Sequence, residues 1–112
     1  MVETMADMDL QTIIKQFADE TRHILQENVL EEYLFGSFAK DTQTPESDID
    51  ILIIVRSFSP EMQYRISELA SDYSLNHDVL ISPIVRDVDS WEMHKNYNTL
   101  FYQEIENSGI RL

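Results

Sequence analysis

A chain of 112 residues that is 43% apolar holds enough material for one domain with a real core. At this length it buries about two-thirds of its unfolded surface, so a large substrate-binding lobe is not expected. The 21 Asp and Glu against 8 Lys and Arg leave a formal net charge of -13, which repels phosphate backbones and anionic membranes and favours a basic protein partner.

No cysteine is present, so disulfides and thiolate metal sites are ruled out. The opening MVETMADMD is acidic and lacks an apolar signal core, and the longest apolar run is Ile51–Val55. The expected location is therefore the cytoplasm, with no membrane span.

Residues 1–8 read as a frayed end, leaving 9–112 as a single domain. Asp9 is placed to cap a helix running to about Glu27. Leu10, Ile13, Ile14, Phe17, Ile24 and Leu25 make its buried stripe, interrupted by a polar gap at Thr21. His23 falls on the solvated side. Val29–Phe35 reads as a strand ending at Gly36, one of only two glycines in the chain. Ser37–Lys40 reads as a short helical turn, and Asp41–Ser47, with Pro45, as an exposed loop.

Asp48–Val55 is the second strand and the most apolar run in the protein. Side chains alternate along a strand, so Asp48 and Asp50 leave by one face while Ile49, Ile51 and Ile53 leave by the other. Two carboxylates at the mouth of a core strand repel each other and are costly to desolvate. A cation must compensate them, and a divalent metal does so most economically.

Ser59 caps a third helix with Pro60 in its first turn, expected to reach about Tyr73 and to bury Met62, Ile66, Leu69 and Ala70. His77–Val85 reads as a third strand, with Pro83 indicating an edge. On it Asp78 shares a face with Leu80 and Ser82, which leaves either a structural ion pair or a place beside Asp48 and Asp50. From Ser90 one or two helices follow, anchored by Trp91, Leu100, Phe101 and Ile105, with Gly109 as a C-cap. His77 and His94 have no second His at ligand spacing.

A hard oxygen site of this kind suits Mg²⁺, which takes a few carboxylates, waters and substrate phosphates. Two ions about 3.5–4 Å apart would clamp an in-line displacement at phosphorus. Gly36 allows close backbone approach to a ligand, Ser37 can hold terminal phosphates, and Lys40 can neutralise them.

Gly36-Ser37, ten residues, then Asp48-Ile49-Asp50 resembles the GSx₁₀DxD signature of the polymerase-beta-like nucleotidyltransferases, and the small size resembles their minimal members. The likeness spans about residues 10–110. It implies an α+β fold, a small mixed β-sheet flanked by helices, and transfer of a nucleoside monophosphate with release of pyrophosphate. It further implies Asp48, Asp50 and Asp78 as metal ligands and catalytic residues, with two Mg²⁺ ions and ATP as substrate.

Minimal members are often paired with a helical HEPN-type toxin, which implies an antitoxin that transfers AMP to a tyrosine of that partner. Stable binding without chemistry is the alternative, and a small-molecule (aminoglycoside-type) transferase is disfavoured for want of an acceptor-binding domain. One departure stands out: Asp41 replaces the family's usual glycine after the Gly-Ser turn and adds negative charge near the phosphates.

Overall fold

The computed structural model describes residues 9–112, so the expectation of a frayed end at 1–8 lies outside the described residues. The elements in order are α1 (Leu10–Leu25), β1 (Val29–Phe35), α2 (Ser37–Lys40), β2 (Ile49–Val55), α3 (Pro60–His77), β3 (Ile81–Asp87), α4 (Val88–Asn96), α5 (Leu100–Ser108) and β4 (Ile110–Arg111). They form a four-stranded mixed sheet in the order β3-β2-β1-β4, with β2 and β3 parallel and the other pairings antiparallel.

Strand alternation divides the core into two layers. Ile49, Ile51, Ile53 and Val55 pack with Ile13, Phe17, Ile66 and Tyr73 of α1 and α3. Leu52 and Ile54, from the other face, pack with Phe35, Trp91 and Ile105 beneath α4 and α5. Edge-on aromatic contacts bind that second layer: Phe101 lies 5.2 Å from Phe35 and 5.6 Å from Trp91, centroid to centroid. Asp50 therefore belongs to the α4/α5 side of the sheet.

Helix α1 starts where expected, with the Asp9 carboxylate accepting from the Thr12 amide at 2.8 Å. It stops at Leu25, and a 3₁₀ turn over Gln26–Asn28 replaces the expected last turn. Leu10 was expected in the buried stripe but is exposed, as is Leu100 at the start of α5. The gap at Thr21 is not a gap. Its side chain is fully buried and meets Glu32, which projects from β1 onto α1.

The largest departure is at the α3–β3 junction. Helix α3 runs one turn past Tyr73, because Tyr73 and His77 extend the buried face of Ile66 and Ala70 and their rings lie 5.3 Å apart. Asp78 ends the helix in the left-handed conformation (φ 54°, ψ 46°), which Asp tolerates better than most residues. The strand begins only at Ile81, so Asp78 is not on a strand and the alternation expected from His77 does not exist.

Pro83 does sit on an edge strand, as its missing N–H requires. The Gln63 side chain of α3 covers the adjoining groups, donating to the Pro83 carbonyl at 3.2 Å and accepting from the Val85 amide at 3.0 Å. A side-chain amide thus takes the place of a neighbouring strand and blunts the edge.

Candidate functional site

The antiparallel register of β1 and β2 sets Phe35 opposite Asp50. Gly36, the next residue, therefore turns the chain directly over the Asp50 carboxylate. Its backbone (φ 74°, ψ -154°) is a conformation essentially reserved for glycine. A Cβ built there would lie 2.2 Å from Asp50 Oδ2. Both constraints demand glycine at this one place. Gly36→Ala is expected to cost about 2–3 kcal/mol in a urea melt and to displace the Asp50 carboxylate; an unchanged midpoint would contradict this packing.

Asp48 is exposed and stands just before β2, which starts at Ile49 rather than Asp48. Asp50 is half-buried on β2, and its carboxyl is held above the ordinary value, first by burial and then by the charges of Asp48 and Glu104. Neither Asp48 nor Asp50 has an ion pair with a cation among the described residues. The charge conflict inferred from the sequence is physically present, and the residues that face it add to it.

Ser37 opens α2, and Lys40 closes it with its Nζ 3.6 Å from Glu104 Oε2. The same Glu104 oxygen accepts from the Gly36 amide at 3.1 Å. Glu104 was missed by the sequence reading, because only the packing of α5 against β1 turns it toward the Gly-Ser turn.

Asp41 also receives an explanation. It caps α2 in the left-handed conformation (φ 57°, ψ 39°), the role for which a glycine is usual, and its amide donates to the Ser37 carbonyl. Its own side chain is exposed.

Asp78 does not join Asp48 and Asp50. It lines a cavity of about 550 Å³ with Phe38, Pro45, Ser47, Ile49 and Leu80. Ile49 belongs to the α1/α3 side of the sheet, opposite to Asp50. Among the described residues no three His, Asp or Glu side chains are grouped to hold a metal ion. The three-carboxylate site expected from the resemblance is thus reduced to a pair, with another carboxylate, Glu104, reaching the Gly-Ser turn from α5.

The pair nevertheless fits a hard divalent cation. It offers uncompensated carboxylate oxygens at a partly exposed strand mouth, where waters and substrate phosphates can complete an octahedron. No helix among the described residues is long and apolar enough to cross a membrane.

Comparison with known proteins gives the family and the fold. The chain is 36% identical over 106 residues to a Methanocaldococcus jannaschii protein called "Putative protein adenylyltransferase MJ0141", covering 94% of this chain and 100% of that relative. Its fold is similar to that of a crystallised mutant of the toxin–antitoxin MntA-HpeT, with a TM-score of 0.58 at 21% identity, over 93% of this chain and 72% of that one. A crystal structure of a toxin–antitoxin with AMP-PNP is similar at a TM-score of 0.60 and 19% identity, over 87% of this chain and 70% of that one. The family model of the nucleotidyltransferase domain matches residues 14–112. With its mixed sheet, its Gly-Ser turn and its two aspartates at the mouth of β2, this chain belongs to the nucleotidyltransferase domain family.

Proposed function

We propose that this chain is a Mg²⁺-dependent protein adenylyltransferase that moves AMP from ATP to a tyrosine hydroxyl of a basic, helical partner of the HEPN toxin type, and so acts as an antitoxin. The observation that carries the proposal is the Asp48/Asp50 pair, in which Asp50 is partly desolvated beneath Gly36 and neither carboxylate has an ion pair with a cation among the described residues. The likeness to a protein called an adenylyltransferase and to toxin–antitoxin structures supports the substrate and the partner. The net charge of -13 suits a basic partner.

In this reading Asp48 and Asp50 hold the metal, and Gly36 N–H, Ser37 Oγ and Lys40 Nζ bind the phosphates. Bound Mg²⁺ would neutralise phosphate charge and make the α-phosphorus more electrophilic. The acceptor oxygen attacks that phosphorus in line, the bond to the β-phosphate oxygen breaks, pyrophosphate leaves, and the acceptor's proton passes to solvent at the partly exposed strand mouth. The chain's residues contribute position and charge, without forming a covalent intermediate.

The position of Asp78 outside the pair favours a second reading, in which neutralisation rests on stable binding and the chemistry is slow. A thermal-shift titration with ATP, with and without Mg²⁺, separates the two. Ligand that binds only the folded protein must raise Tm. A Mg²⁺-dependent rise, together with transfer of α-phosphate label to a co-purified partner, supports the enzyme. Absence of both at millimolar ATP, with toxin neutralisation intact in Asp48→Ala, overturns it in favour of binding alone.

A further inference from the structure

Glu104 stands where an anionic ligand would be expected to stand. Its Oε2 accepts from the Gly36 amide at 3.1 Å and lies 3.6 Å from Lys40 Nζ. These are the donor and one of the cations that, on the proposed function, receive the nucleotide phosphates. A carboxylate oxygen and a phosphate oxygen ask the same of an amide and an ammonium: charge-assisted hydrogen bonds at similar distance. Glu104 is only half-buried and comes from α5, an element separate from the Gly-Ser turn, so its side chain has room to leave.

Glu104 also worsens the electrostatics it faces. Its charge adds to that of Asp48 on the Asp50 carboxyl. Three carboxylates and one lysine therefore share a site that has to accept a triphosphate. Of the groups in contact with it, Lys40 is the cation, Gly36 the amide donor, and Asp50 the like charge. A structural ion pair is the simplest reading of the Lys40 contact. It does not account for the Gly36 amide, which a helix-to-turn ion pair has no need to engage.

We propose that Glu104 is an intramolecular competitor for the phosphate locus, a carboxylate that occupies Gly36 N–H and Lys40 until the phosphates of Mg-ATP displace it. This deepens the proposed function and rests on it. The consequence is a set point for nucleotide affinity. The apparent dissociation constant is the intrinsic one divided by the fraction of molecules in which Glu104 has swung away. Removing the competitor should tighten binding, whereas deleting a metal ligand or a catalytic carboxylate should weaken it.

The test uses the full chain, with Mg-ATP as probe. Only two glycines exist, so selective ¹⁵N-glycine labelling yields two backbone signals, from Gly36 and Gly109. The Gly36 signal is expected to move on Glu104→Ala and on adding Mg-ATP to the wild type. Calorimetric titration is expected to show Mg-ATP binding about tenfold tighter to Glu104→Gln and Glu104→Ala than to the wild type. Unchanged or weaker binding in both variants, with the wild type still binding, overturns the competitor role and leaves the proposed function standing. If neither wild type nor variants bind Mg-ATP while Gly36 still reports the Glu104→Ala change, the nucleotide reading itself fails. The Glu104→Gln variant keeps an oxygen acceptor for Gly36, so its stability is expected to stay near that of the wild type.

Discussion

Asp50→Asn is expected to make the unliganded protein more stable and the enzyme inactive. The Asp50 carboxyl is raised above its ordinary value by burial and by the charges of Asp48 and Glu104, so its ionised form is carried at a cost in the folded state. The sign comes from linkage. A carboxyl whose folded pKa exceeds its unfolded one favours folding while protonated and opposes it once ionised. At pH 7–8 the isosteric amide removes that opposition, and Tm in the absence of nucleotide should rise by a few degrees. The gain should shrink as the pH falls toward the carboxylate range, where the wild type is neutral as well.

The same change removes one carboxylate charge from the pair proposed to hold the metal. On the proposed function, the Mg²⁺-dependent thermal shift with ATP should vanish, and AMP transfer should fall by at least about 10²–10³-fold, as activity does when one preorganised charge is lost from an active site. Stability and activity moving in opposite directions is the mark of a residue kept for chemistry at the fold's expense. A drop in both Tm and activity would instead make Asp50 a structural residue.

The second large effect concerns Glu32, fully buried between β1 and α1. Burial pushes its carboxyl up to about 7 from an ordinary 4.5, against the pull of Thr21 and Arg22. Geometry gives an independent reason for the proton. Thr21 Oγ1 lies 2.7 Å from the Ala18 carbonyl and 2.6 Å from Glu32 Oε1. Thr21 can donate its one hydrogen to either oxygen, and both contacts are satisfied together only in the protonated form, in which Glu32 donates to Thr21. Arg22 Nε lies 3.2 Å from the other oxygen, Oε2, without the alignment of a hydrogen bond.

Between the unfolded value near 4.5 and the folded value near 7 the native protein binds more protons than the unfolded chain. Stability contributed by this group is therefore complete below the unfolded value and is lost as pH rises through 7. The loss amounts to on the order of 3 kcal/mol by pH 8. Glu32→Gln, whose amide can donate to Thr21, should remove that pH dependence. Urea melts at pH 8 should place the variant above the wild type by about this amount, whereas at pH 4.5 the two should nearly coincide. Because the two proteins differ only at this side chain, the difference reports on Glu32. Equal stability of the two at pH 8 would show that Glu32 is already compensated as an anion.

The local frame of the candidate site, the Gly36 turn against Asp50, could be read in advance, and the reason lies in how local its determinants are. The ten-residue interval between Gly36-Ser37 and Asp48-Ile49-Asp50, and the apolar run after it, whose period-two alternation sets Asp50 on the face opposite Ile49 and Ile51, are properties of short stretches. They hold whatever the rest of the chain does. So do the Asp9 cap, the bounds of β1 and the edge position imposed by Pro83.

What the tertiary structure decided was every relation between distant segments. Asp78 was expected on a strand, yet α3 continues through His77 because Tyr73 and His77 gain burial against the core, and that packing outweighs the local apolar run. Thr21 looked like an interruption until β1 brought Glu32 to it, across eleven residues of chain. Glu104 is an ordinary polar residue of an amphipathic helix by pattern alone. Only the docking of α5 on β1 aims it at Gly36, sixty-eight residues away, because a helix's facing is set by the partner it packs on and not by its own spacing.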